Sequence, residues 1–329
     1  MTMLETTVGL DAAASIDARY SFAGITISSD VDLPGLRPAS IDATVDAVIR
    51  CDMPRFMDDC VRVGATTRLP DGTFVIDLPP VARVAINVAQ TTIDITPFPG
   101  IGRNFVRHVI VDVALPRYFA LLGHPAVHAT AVRTTEGTVA FLAGSGRGKS
   151  TLSGALVAQG ATWVADDFLL LDVGPHKTTV IPTAVSTRLL ADSAQALGID
   201  PDDGEVIGPD APKRRWSVDG SPDPVRLTCI MVLDRRAGPD GPIRCEPLDA
   251  RDAMAELAGQ WFLSEAGSVS PSTFLSTIGR LLHTTPMLRL SYPSSFDRLA
   301  ETTAAIRSQI AATAPPTCSA TSSTRGGEQ

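Results

Sequence analysis

The chain has 329 residues, with 28 Lys plus Arg against 36 Asp plus Glu and a formal net charge of -8. Such a length makes one large or two ordinary domains, and 44% hydrophobic residues with 26 Gly and 25 Pro describe a globular chain rather than a low-complexity one. The acidic balance, without a basic run, argues against a nucleic-acid partner, which would need Lys and Arg to neutralise phosphates.

Residues 1–19 read as an N-terminal extension. Glu5 and Asp11 stand where a secretory signal would carry a basic region and an apolar core, so a cytoplasmic protein is expected. From 20 to 103 the chain reads as a small β-rich domain. Short apolar or alternating runs at Phe22 to Ile27, Asp46 to Ile49, Thr73 to Leu78 and Thr92 to Ile95 are punctuated by Pro, Gly and Asp. Asn104 to Leu122 reads as helical, with Pro116 starting a second helix and Gly123 ending it. No membrane span is expected: even the run from Phe105 to Leu122 is broken by Arg107, His108, Asp112, Pro116 and Arg117.

The second domain, 104–310, is expected to be α/β. A strand at Val127 to Val132 and another at Thr138 to Ala143 lead to a helix from Lys149 to Gln159, then strands at Thr162 to Ala165 and Phe168 to Val173. Residues 197 to 224, dense in Gly, Pro and Asp, read as a long exposed loop that carries Lys213, Arg214 and Arg215. Leu227 to Leu233 and Met287 to Tyr292 read as strands, and Ala250 to Phe262, Ser272 to His283 and Ser295 to Ile310 as helices. The tail, 311–329, is rich in Ser, Thr, Pro and Gly and reads as disordered. Five cysteines, at 51, 60, 229, 245 and 318, form no CxxC pair and suit reduced thiols.

Gly144, Ser145, Gly146, Arg147, Gly148, Lys149, Ser150 and Thr151 lie between a buried strand and an apolar helix. This is the pattern of a phosphate loop. Glycines let the backbone N–H groups converge on one concavity, and the helix N-terminus adds its positive end. Lys149 would reach the β and γ phosphates of a nucleotide, and the Ser150 hydroxyl would ligate magnesium. The position five residues before Gly148, glycine in the strict pattern, is Ala143. Asp166 and Asp167 close the strand after this helix, and a parallel neighbour would bring them beside the phosphates. Adjacent strand side chains point oppositely, so only one would face the nucleotide unless the chain turns there. Asp167 is taken as the base that accepts a hydroxyl proton, with Asp166 supporting it or the metal. His128, among apolar neighbours in the preceding strand, is either a core residue or a member of the site.

Together these residues resemble the kinases related to the C-terminal domain of HPr kinase/phosphorylase, whose fold is like that of phosphoenolpyruvate carboxykinase. The resemblance rests on the His128 strand, the Gly-rich loop, and Val164, Ala165, Asp166 and Asp167 at the matching distance from the lysine, and it covers about 115 to 235. It implies a P-loop kinase domain using ATP and Mg²⁺, with His128 beside the catalytic aspartates, Asp167 as the base, and Ser150 and Asp167 at the metal. Asp192 sits where that family carries a metal-site glutamate, but Thr187, Arg188, Leu189 and Leu190 do not match the family signature. Phe22 to Ile27, Leu33 to Leu36, Ile181, Pro182 and Arg188, Leu189 resemble a divergent branch that includes kinases of lasso-peptide precursors. The expected function is transfer of the γ-phosphoryl group to a serine of a peptide or small protein, with Arg188, Lys213 and Arg214 as substrate contacts and an oligomer permitted. Two alternatives stand beside it: a phosphocarrier kinase/phosphorylase of sugar regulation, and a nucleotide-binding scaffold without turnover.

Overall fold

The computed structural model describes residues 18–51, 66–208, 211–234, 238–262 and 270–314. The extension as far as residue 17 and the tail from 315, with Cys60 and Cys318, lie outside these residues. The chain is mixed α/β with several sheets. Cys51, Cys229 and Cys245 are free thiols, and among the described residues no helix is long and apolar enough to cross a membrane.

The first eight strands, from Ala18–Phe22 to Thr92–Pro97, form one sheet. Alternate residues of its strands, such as Val84, Ile86, Ile93 and Ile95, are fully buried, as one covered face requires. The cover is the helical segment that follows, through Val106, Val109, Ile110, Leu115 and Phe119, and Ala126, Phe168 and Leu170 join the same core. Pro116 does not begin a new helix. Arg103–His108, Val109–Ala114 and Leu115–Leu121 run on without a break, the middle piece as a π-helix. A proline ring clashes with the carbonyl four residues back, and the wider π turn before it relieves that clash.

The second part is a three-layer sandwich. Its six-stranded sheet runs in the order Thr162–Ala165, Ala129–Arg133, Thr138–Leu142, Cys229–Asp234, Met287–Ser291, Arg244–Pro247. Val139 and Phe141 pack with the helices Lys149–Ala158 and Leu299–Thr313 on one face. Ala140 and Leu142 meet Ala250–Ala258 and Pro271–Thr284 on the other. Because both faces are covered, the strand Thr138–Leu142 is buried at every position and apolar from Val139 to Leu142.

Three further expectations need correction. The strand read at Val127 to Val132 is two strands in two sheets. Ala126–Val127 pairs with Leu169–Val173, and Ala129–Arg133 pairs with Thr138–Leu142. His128 is the crossing point, its N–H donating to the Gln260 carbonyl at 2.7 Å. The strand Thr162–Ala165 is not the parallel neighbour of the strand before the glycine-rich loop, since antiparallel Ala129–Arg133 lies between them. Both flanking strands still run the same way and end on the same side. Finally, the stretch 197 to 224 is not one exposed loop. Arg214–Ser217 is the middle strand of a three-stranded sheet, paired with Ser186–Leu189 on one side and Glu205–Val206 on the other, and the Gly, Pro and Asp content obscured these short strands.

Candidate functional site

The glycine-rich loop leaves the buried strand Thr138–Leu142 at Ala143 and enters the helix Lys149–Ala158. Gly146 and Gly148 have φ of +76° and +94°, a left-handed conformation that side chains disfavour. At Gly148 a Cβ would also lie 2.5 Å from the Tyr292 hydroxyl, which donates to the Arg147 carbonyl at 2.6 Å. The helix has no side-chain cap at Gly148, so its leading N–H groups and positive end face the cleft lined by the loop.

Lys149 is almost fully buried. Its ammonium donates to the Ala143 carbonyl at 2.7 Å and lies 3.2 Å from His128 Nε2. Burial pulls its pKa below the ordinary value, against the opposing pull of Asp167 and Asp166. His128 Nδ1 is 3.0 Å from the Asp167 carbonyl. A carbonyl can only accept, so Nδ1 carries the proton and Nε2 is left to accept from Lys149. Burial and the Lys149 charge both lower the His128 pKa, which keeps this ring neutral. The histidine therefore joins the lysine to the aspartate backbone, while its Nε2 stands 4.0 Å from the Asp167 carboxylate.

The two aspartates diverge because Asp167 has φ of +58°, a region asparagine and aspartate enter more readily than other residues. Phe168, buried against Phe22, Phe119 and Phe262, anchors the turn. Asp166 turns toward hydroxyls: Thr130 donates to it at 2.7 Å and Ser150 at 3.3 Å. Burial, and then the neighbouring Asp167 charge, push its pKa up. Asp167 turns toward Arg188, whose Nε donates at 3.0 Å and whose Nη2 grips the same oxygen. Burial pushes its pKa up too, but the charge and hydrogen bonds of Arg188, helped by the Lys149 charge, prevail and hold it below the carboxylate range.

Arg188 is also drawn to Asp112, which with Asp167 raises its pKa against the opposing effect of burial. Asp112 sits on the π turn, with His108 Nδ1 at 2.5 Å and Arg215 at 3.0 Å. Arg188 and Arg215 face each other across paired strands, an arrangement of like charges that repels without intervening anions. Asp112 and Asp167 supply them.

Of the residues picked from sequence, Ser145 to Thr151, His128, Asp167, Arg188 and Lys213 line one open cleft. Gly144 lies just behind it, and Asp166 reaches it through Ser150. Arg214 does not belong. On a strand, neighbours point to opposite faces, and Arg214 bonds the Asp202 carbonyl and carboxylate, both at 3.1 Å. Lys213 lines the cleft with no ion pair or hydrogen bond among the described residues. Ser150 touches Asp166 rather than Asp167. Sequence reasoning missed Tyr292 as the brace of the loop, and no local signal marks it. It also missed His108 and Asp112, whose four-residue spacing on a helix was the available clue. Among the described residues no group of three or more His, Cys, Asp or Glu side chains forms a metal cluster.

No family model and no curated protein matches the sequence. Among solved structures, the HPr(Ser) kinase/phosphatase from Coxiella burnetii is similar at 13% identity and a TM-score of 0.29, covering 56% of this chain and 96% of that one. A likeness this remote does not extend to activity, substrate or side-chain roles.

Proposed function

We propose that the chain is an ATP-dependent, magnesium-dependent phosphotransferase that places the γ-phosphoryl group on a hydroxyl, that of a serine in a peptide or small protein. The observation that carries this reading is the meeting of an uncapped helix N-terminus, a buried lysine and two aspartates of opposite surroundings at one cleft. Such transfer asks for positioning and charge stabilisation more than for covalent chemistry. The loop N–H groups and Lys149 would hold the triphosphate, with His128 keeping the lysine and the Asp167 backbone in register.

Magnesium fits the oxygens present. The Ser150 hydroxyl and Asp166 carboxylate are 3.3 Å apart and are the hard ligands it prefers. Asp167, which lines the same cleft, would complete the set. A cation there would favour the ionised Asp166 that burial disfavours, and it would neutralise charge on the phosphate oxygens. Asp167 would take the acceptor proton once Arg188 turns to the transferred phosphoryl group. Lys213, uncommitted in the cleft, would meet the acceptor or its phosphate. A ribosomally made precursor peptide of the lasso type is the most specific form of this acceptor.

One observation favours a second reading, nucleotide binding without transfer: Arg188 occupies the carboxylate that must act as base. The test is incubation of the full chain with Mg²⁺ and γ-labelled ATP, with and without serine peptides, beside Lys149→Ala. Label on peptide serine that Lys149→Ala abolishes supports transfer. ATP binding with no label on any acceptor supports the second reading, and absence of ATP binding removes both.

A further inference from the structure

We propose that Phe296 is the platform on which the base of a purine nucleotide stacks, within a wall that recognises the base's flat face and reads its edge weakly. This rests on the nucleotide reading above. A triphosphate held on the loop leaves its base outside the N–H cradle, and a flat apolar body in water gains by covering an aromatic face. Phe296 is 41% exposed. Of the six large apolar side chains left exposed among the described residues, it is the one that lines the same cleft as Ser145 to Leu152.

The fold places this residue at the end of the sheet that carries the loop. The strand Met287–Ser291 runs parallel to Cys229–Asp234, which runs parallel to the strand before the loop. All three therefore end on the loop's side of the sheet. Tyr292 follows directly and ties this end to the loop through the Arg147 carbonyl. Phe296 then opens the short 3-10 turn Phe296–Arg298 that leads into the helix Leu299–Thr313, so strand and helix fix it from both sides.

The cleft lining on this side, Tyr292, Pro293, Ser294, Ser295, Phe296 and Leu299, holds no charged side chain. Serine hydroxyls donate or accept as required. Such a wall offers a face to stack on and adaptable partners, which binds adenine and guanine alike.

The test is calorimetric titration of the full chain and of Phe296→Ala with Mg-ATP, Mg-GTP and Mg-tripolyphosphate. The expected result is ATP and GTP affinities within several-fold of each other, a loss of roughly tenfold or more for both in Phe296→Ala, and unchanged tripolyphosphate affinity. Unchanged tripolyphosphate binding also shows that the variant is folded, and Phe296→Trp should restore the nucleotides. Equal ATP affinity in wild type and Phe296→Ala overturns the stacking while leaving the nucleotide reading intact. A strong preference for one purine overturns the weak edge reading. A wild-type chain that binds none of the three probes overturns the nucleotide reading itself.

Discussion

Asp166 and Asp167 are adjacent in the chain and stand in opposite chemical surroundings. Asp166 lies inside the three-layer sandwich among the hydroxyls of Thr130 and Ser150, with no cationic side chain bonded to it among the described residues. Asp167 faces the seam where the π turn and the three-stranded sheet present Arg188, His108, Asp112 and Arg215. One is held too proton-greedy for an ordinary carboxylate and the other too acidic. The difference teaches that a single left-handed residue can divide a carboxylate pair between two roles. In the proposed function the hydroxyl-lined group would meet a cation, and the guanidinium-bound group would act once its partner leaves.

Four measurements test that division. The largest effect is expected from Lys149→Ala, which removes the cation shared by both regions. ATP affinity should fall and phosphoryl transfer should drop on the order of 10³-fold, and transfer near the wild-type rate would break the assignment of the loop. Next is Asp167→Asn, which keeps the shape but cannot take a proton. Transfer should fall by ~10²-fold or more with ATP affinity largely kept, whereas a variant that transfers normally would show that the Arg188-bound carboxylate is purely structural.

His128→Ala should cost on the order of 10²-fold in transfer, because the lysine and the aspartate backbone lose their common partner and shift. It should leave two polar groups short of a bond, lowering stability by ~1–3 kcal/mol. Thermal melts and single-turnover rates on one preparation separate the two effects. If the folded fraction of this variant transferred at the wild-type rate, the histidine would be a core residue only.

The smallest effect concerns pH. The folded protein holds the Asp166 proton more tightly than the unfolded chain does, so this group costs nothing at pH below the ordinary carboxylate value. Its cost grows as pH rises through the window from that value to the elevated one. Without magnesium, Asp166→Asn should therefore gain on wild type by on the order of 1–3 kcal/mol between about pH 4 and pH 7. Urea unfolding across that range measures it, and parallel curves would mean that Asp166 is not strained. Asp167 acts in the opposite sense, since its depressed pKa gives stability that is lost as pH falls below the carboxylate range.

The loop, the lysine and the aspartate pair were legible from residue order because their chemistry is local. Glycines at left-handed positions, an apolar strand before them and a helix after them leave few conformations open to the segment between. The helices of the sandwich were legible for a similar reason, as Pro271–Thr284 shows with its serine cap and proline in the first turn. The switch of sheets at His128 was not, because Ala126 to Val132 is apolar on both sides of the break and period alone cannot show which sheet each half joins. Nor was the strand at Arg214–Ser217, one of whose two partners, Ser186–Leu189, lies more than twenty residues away, and whose side-chain directions follow from that pairing.

By itself the sequence determined an acidic α/β chain with a glycine-rich turn feeding a helix and two carboxylates at a strand end. Those are consequences of composition, periodicity and steric limits within a few residues. Only the tertiary structure decided that Asp166 meets Ser150 while Asp167 meets Arg188, that Arg214 turns away from the cleft, and that Asp112 and Phe296 join the site from distant segments. These outcomes depend on which strands pair and which faces pack. Pairing and packing free energies are summed over residues far apart in the chain, and no local pattern contains that sum.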